Sequence, residues 1–184
     1  PFGPMVRKTI DFDRKLEYYK ELEYDAVQFH DDDAVPELNH LNPSQIAETA
    51  RSLKKRLADK GLASEFVAPR LWEDPRTIDG GYTANSAIDR KYAIERSKKA
   101  IDIADELGTD LIVLWLAREG SYIREAKDSK VAVERIVEAI NTMLEYHPKM
   151  RICIEPKPNE PMDLAYIPTA GHAIGLGLLT IDPA

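Results

Sequence analysis

Residues 154–161 read Ile154-Glu155-Pro156-Lys157-Pro158-Asn159-Glu160-Pro161 and follow an apolar lead-in, Ile152-Cys153. This order predicts a buried strand that delivers a charged pair at its carboxyl end. Positions 155 and 157 fall on one face, roughly 7 Å apart along a strand. A carboxylate and an ammonium on the inward face of a buried strand are costly unless a metal, a substrate or each other satisfies them. Pro156 and Pro158 remove backbone donors and exclude a central antiparallel strand through this point. Barrels of parallel strands carry their catalytic residues at such strand ends. Cys153, inside the apolar run, reads as a core residue, the usual place of a free thiol.

Outward from this stretch, helical and extended patterns alternate. Phe12, Leu16, Tyr19 and Leu22 give helical spacing over 11–24. Ala26 to His30 reads as a short strand. Asn42-Pro43 opens a helix that runs to Lys60 and stops at Gly61, with Asn at the cap and Pro at the first helical position. Strands are predicted over 63–68, 110–116 and 151–155, and helices over 89–107 and 129–146, with a further helix start at 169–179. Between Pro69 and Asn85 lies a Pro- and Gly-rich loop long enough to be functional. The fold class is α/β: helix and strand alternate four times and a fifth helix opens, the pattern of parallel strands with helical crossovers. Four strands cannot close a barrel, and an eight-stranded one takes about 250 residues. The 184 residues are therefore expected to be one small open sheet or a part of a TIM (β/α)8 barrel.

Composition excludes several classes of function. A net charge of −7 and a pI of about 5.2 oppose non-specific nucleic-acid binding and an anionic membrane surface. No apolar run approaches the ~20 residues of a membrane span. No signal-peptide pattern opens the chain, and a lone cysteine fits a reducing cytoplasm. No glycine fingerprint of a dinucleotide fold and no phosphate loop follows any strand.

Two more charged clusters fall at strand ends. His30-Asp31-Asp32-Asp33 follows the first strand; a carboxylate beside an imidazole can orient it and select its tautomer. A plain capping turn is the competing reading, since Asp is common in turns. Trp115-Leu116-Ala117-Arg118-Glu119-Gly120 follows the third strand, where Trp115 by residue type alone is core. That all three clusters sit at the same end of their strands favours function. His40, His147 and His172 read as helix-end or surface residues, and the basic stretch 51–56 as a solvated helix face.

With these residues in view, the chain resembles xylose isomerase, the metal-dependent aldose–ketose isomerase built on a (β/α)8 barrel. Residues 154–161 match the family's I-E-P-K-P-N-E-P without a break. Phe29-His30-Asp31-Asp32-Asp33 resembles its F-H-D-D-D segment, and Trp115 with Arg118-Glu119-Gly120 its W-G-G-R-E-G segment, with Leu116-Ala117 in place of two glycines. Gly80 to Asn85 resembles G-G-F-T-A-N, Pro168 to Ala173 resembles P-T-x-G-H-A, and Pro1-Phe2-Gly3 resembles a P-F-G that follows the family's first strand. A few extra residues stand around 73–78.

The resemblance implies interconversion of D-xylose and D-xylulose by a 1,2-hydride shift, with two divalent cations, Mg²⁺, Mn²⁺ or Co²⁺. It implies that His30, held by Asp33, assists ring opening, that Lys157 stabilises the sugar's carbonyl end, and that Glu155 is a metal ligand. Trp115 and Trp72 would wall the substrate pocket, and Phe2 would reach into a neighbouring subunit of a homotetramer. The substrate would be an aldose, xylose or also glucose. The chain matches about the second to fifth strands of that barrel: the first strand and the last three, with the remaining metal ligands, are not in it. A fragment, a truncated protein and an engineered half-barrel all fit 1–184 as a single partial barrel segment. The expectation is an isomerase that works only with missing strands from the same or another chain; the alternative is a non-catalytic half-barrel scaffold or complementation fragment. A sugar-phosphate epimerase or endonuclease-type barrel is a third reading, disfavoured by the Glu-Pro-Lys-Pro-Asn-Glu-Pro run.

Overall fold

The computed structural model describes residues 8–159 and 161–183. Helix α1 (Phe12–Glu21) starts at Asp11, whose side chain accepts from the N–H groups of Asp13 and Arg14, and leads into β1 (Ala26–His30). A one-turn helix α2 (Asp31–Ala34) follows directly. Helix α3 (Pro43–Ala58) opens with a reciprocal cap between Asn42 and Gln45, which satisfies two otherwise orphaned backbone donors. Then come β2 (Ala63–Ala68), a 3₁₀ turn at Pro75–Thr77, α4 (Ala87–Leu107) and β3 (Leu111–Trp115). Two short strands, β4 (Gly120–Ser121) and β6 (Leu164–Ala165), flank α5 (Ser129–Tyr146) and β5 (Arg151–Glu155); α6 (Ala170–Gly177) comes last.

Strands β1-β2-β3-β5 form one sheet in that order, every pair parallel. The expected alternation of parallel strands and helices is therefore present, as a partial barrel. His30 sits opposite Ala68 and Trp115 opposite Glu155, so the carboxyl ends share one rim. The helices pack on the other face of the sheet through apolar positions at helical spacing. In α3 these are Ile46, Ala50, Leu53 and Leu57; in α5 they are Ile136, Ala139, Ile140 and Met143. They meet Val67, Ile112 and Leu114 of the sheet in one continuous core.

Two expectations need correction. Residues 151–155 do not form a buried strand: Arg151, Cys153 and Glu155 are exposed and only Ile152 and Ile154 are half-buried. Cys153 is therefore not a core residue. The reason is position: β5 ends the sheet, so one of its edges and much of one face lack a neighbouring strand among the described residues. The sequence reading also contains no β4–β6 ladder. This antiparallel pair matches Gly120 with Ala165 and Ser121 with Leu164. Gly120 permits it, since a Cβ there would come 2.5 Å from the Leu164 carbonyl oxygen.

Candidate active site

The rim carries a continuous run of rings and charges. The His30 ring lies 5.1 Å from the Trp72 ring, nearly edge-on at 76°. Trp72 meets Trp115 at 4.4 Å and 62°. Lys157 brings its Nζ to 4.6 Å from the centre of the Trp115 ring, within cation–π range. Residues from the ends of β1 and β3, the loop after β2 and the segment after β5 thus come together. Glu155, the last residue of β5, is register-paired with Trp115 and exposed. Phe2 lies outside the described residues. Trp115 is half-buried, and its own Nε1 is buried without a hydrogen-bond partner among the described residues.

Behind this surface lies a charged network. Asp31 is fully buried and receives both Arg96 Nε at 2.7 Å and Nη2 at 2.9 Å, together with the backbone N–H groups of Asp32 and Arg70. Arg96 also reaches Asp32 at 3.1 Å. Arg70 Nε is 3.0 Å from the other Asp32 oxygen, an ion pair without hydrogen-bond alignment. Burial and the neighbouring Asp31 charge push the Asp32 carboxyl above its ordinary range. At Asp33 the hydrogen bond with His30 leads the other way and, with Arg70, holds the carboxyl below its usual value. The His30 Nδ1 to Asp33 Oδ2 distance is 3.1 Å. Neither Arg70 nor Arg96 was singled out in the sequence. Arg70 follows Pro69 at the end of β2, a strand end that bears charge like the other three; Arg96 is an arginine on the inner face of α4.

Glu119 has a different task. It is buried at 3 % exposure and its two oxygens accept from the N–H groups of Gly81, Tyr82 and Thr83 and from the Thr83 hydroxyl, at 2.5–3.0 Å. Burial nonetheless pushes its carboxyl upward. A Cβ on Gly81 would lie 2.9 Å from Glu119 Oε1, so only glycine lets the loop come this close. This carboxylate pins the loop after β2 to the segment after β3 and leaves no oxygen for a ligand. His40 and His172 are exposed and His147 caps α5, in keeping with the structural reading of all three.

A divalent cation such as Mg²⁺ takes about six oxygen donors. Among the described residues no group of three or more His, Cys, Asp or Glu is placed to hold a metal ion. Glu155 alone does not fit one. No helix among them is long and apolar enough to cross a membrane.

The family model described as "Xylose isomerase-like TIM barrel" matches residues 16–176. Among solved structures, the chain is similar to a D-psicose 3-epimerase crystallised in the presence of D-fructose: 15 % identity, TM-score 0.66, covering 93 % of this chain and 55 % of that one. It is similar to an AP endonuclease, family 2, from Brucella melitensis, at 18 % identity and TM-score 0.63, covering 91 % and 58 %. A xylose isomerase-like TIM barrel protein from Mycobacterium smegmatis in complex with magnesium matches at 17 % identity and TM-score 0.56, covering 90 % and 51 %. At these identities the likeness is one of fold. The chain spans about half the length of each.

Proposed function

Because the chain belongs to the xylose isomerase-like TIM barrel family, we propose that it carries the sugar-facing rim of an aldose–ketose isomerase acting on D-xylose. The observation that supports this best is the unbroken run from His30 through Trp72 and Trp115 to Lys157 at the carboxyl ends of parallel strands. Rings suit the apolar face of a sugar, and a cation suits a polarised carbonyl.

In the reaction, the hydrogen on C2 of the open-chain aldose moves to C1 with its electron pair, while the O2 proton ends on O1. Aldehyde and secondary alcohol become primary alcohol and ketone, with no net redox change. His30, held by Asp33, takes or returns the proton that opens the ring. Lys157 stabilises the negative charge that develops on the carbonyl oxygen. Trp72 and Trp115 keep water from the C1–C2 bond, and Phe2 of a neighbouring copy would add to that wall in a tetramer. Two divalent cations belong to this reading. Glu155 offers one carboxylate, and the rest of a shell needs side chains beyond those described here.

Isomerisation of xylose in deuterium oxide by the assembled barrel, supplied with Mn²⁺, tests the proposal. The expected product is xylulose with no solvent deuterium at C1, because the migrating hydrogen never leaves the substrate. An enzyme that leaves xylose untouched and instead epimerises a ketose with solvent deuterium uptake would overturn it. The half-barrel scaffold is kept as a second reading because the chain spans about half of the barrels it matches. Its signature is retained binding to a complementing half with no turnover by the pair.

A further inference from the structure

Trp72 is the middle ring of the rim, 5.1 Å from the His30 ring and 4.4 Å from the Trp115 ring. It stands near the start of the long loop after β2, half-buried beside the exposed Glu73. Edge-to-face ring contacts are weak and tolerate a range of positions, so its two neighbours alone do not fix it. The backbone sets the direction of a side chain. With the planes of the two peptide units flanking a Cα held, φ and ψ are fixed, and the Cα–Cβ bond with them.

Both planes at Trp72 are held, and from different parts of the chain. On one side the Leu71 carbonyl accepts from the hydroxyl of Thr77, a fully buried residue of the 3₁₀ turn. That hydroxyl has one hydrogen and two carbonyls in reach, those of Leu71 and Asp74. The Asp74 carbonyl already receives the Thr77 backbone N–H at 3.0 Å, whereas the Leu71 carbonyl has no other donor among the described residues. The hydrogen therefore belongs to Leu71. On the other side the Trp72 carbonyl accepts from Arg118 Nε at 3.2 Å. A guanidinium only donates and a carbonyl only accepts, so this bond has one sense. Arg118 rests on a firm base: Glu119 N–H donates to the Leu116 carbonyl and Gly120 N–H to the Arg118 carbonyl, both at 3.1 Å. The next side chain, Glu119, holds residues 81–83. Adjacent residues of one turn thus grip the same loop near both its ends. Arg118 belongs to the charged cluster after β3 and takes no part in the chemistry proposed above.

We propose that Arg118 and Thr77 are positioning residues: each holds one peptide plane beside Trp72, and together they fix this ring as the wall between His30 and Trp115. What the wall does for a sugar rests on the isomerase reading above; its placement does not. The chain has two tryptophans, Trp72 and Trp115. Two indoles this close and steeply inclined couple their strong transitions and give a paired band of opposite signs in far-ultraviolet circular dichroism. Each protein is measured against its own Trp72→Phe derivative, so that the helical signal cancels and the couplet remains. The wild-type protein should show the couplet. Arg118→Met, of similar shape but without a donor, should lose half of its amplitude or more, with backbone amide signals showing that the fold is kept. Arg118→Gln sets an amide N–H₂ at the same place along the side chain as Arg Nε and should keep most of it, since the donor and not the charge is what acts. Should Arg118→Met not fold, Thr77→Val gives the decision, with the same loss expected. A wild-type protein without the couplet, an undiminished couplet in Arg118→Met or in Thr77→Val, or an Arg118→Gln loss as large as that of Arg118→Met would each overturn the proposal. None of these readings depends on turnover, so a failure here and a failure of the isomerase assignment are separate results.

Discussion

Lys157 and Glu155 are close in sequence but would serve different ends. Lys157→Ala removes a cation that rests on Trp115 and should slow the hydride shift by roughly 10²-fold, about 3 kcal/mol, the usual worth of one electrostatic stabiliser. Metal binding should survive, as calorimetric titration with Mn²⁺ would show. Glu155→Gln should do the reverse, weakening one cation site while leaving Lys157 in place. Glu119 offers a stability test. Its replacement by Gln sets an amide N–H₂ against the loop's own donors, leaving buried groups unpaired at about 1–3 kcal/mol; the urea midpoint should fall with no change in slope. Asp33 makes a pH prediction with a definite sign. Its folded pKa is depressed by His30 and Arg70, so its contribution is present above the unfolded value of about 3.9 and is lost as pH falls through the folded one. Its exposure keeps the effect small. Acid unfolding of Asp33→Asn should show a shallower loss of stability below about pH 4 than the wild-type protein.

At the scale of elements, α4 carries the most revealing test, because its inner face includes Arg96 among Ala93, Ala100 and Ile103. Arg96→Met strands Asp31, which is fully buried, and breaking a buried pair on one side costs about 3–5 kcal/mol. The double variant with Asp31→Leu should regain much of that loss in chemical denaturation. Long elements were legible in the sequence. Ala63–Ala68, Ser129–Tyr146 and Arg151–Glu155 have the predicted bounds, since caps and hydrophobic period are local signals. What escaped was short or distant. Helix α2 has four residues, and β4 and β6 have two each, too few to show a period. The Glu119 cradle and the Arg70–Asp33 pair join segments 36–38 residues apart, and no spacing rule links such pairs. Cys153 was misread because an apolar triplet reads the same in an edge strand as in a central one.

For the molecule as a whole, the outer edges of β1 and β5 have no strand beside them among the described residues. Beside β5, Leu144, Ile152, Ile154, Ile174 and Leu178 line a cleft of about 670 Å³, with Ile174 and Leu178 about two-thirds exposed. Bare apolar edges of this kind recruit a partner or aggregate. The 184-residue chain should therefore self-associate or pair with a complementing half. Sedimentation showing a lone monomer, with slow hydrogen exchange along β5, would count against this. The same chain alone should neither turn over xylose nor bind Mn²⁺ at micromolar concentration. The β4–β6 ladder bears on a different matter. Together with Tyr166 N–H donating to the Glu119 carbonyl and the Tyr122 hydroxyl donating to Pro161, it ties the loops after β3 and β5 to each other. These ties all lie within the described residues and join the two loops directly. A segment whose rim is laced from inside is a portable cassette: it could be recombined with different second halves over evolutionary time, each bringing its own chemistry, while the face it presents to them stays the same.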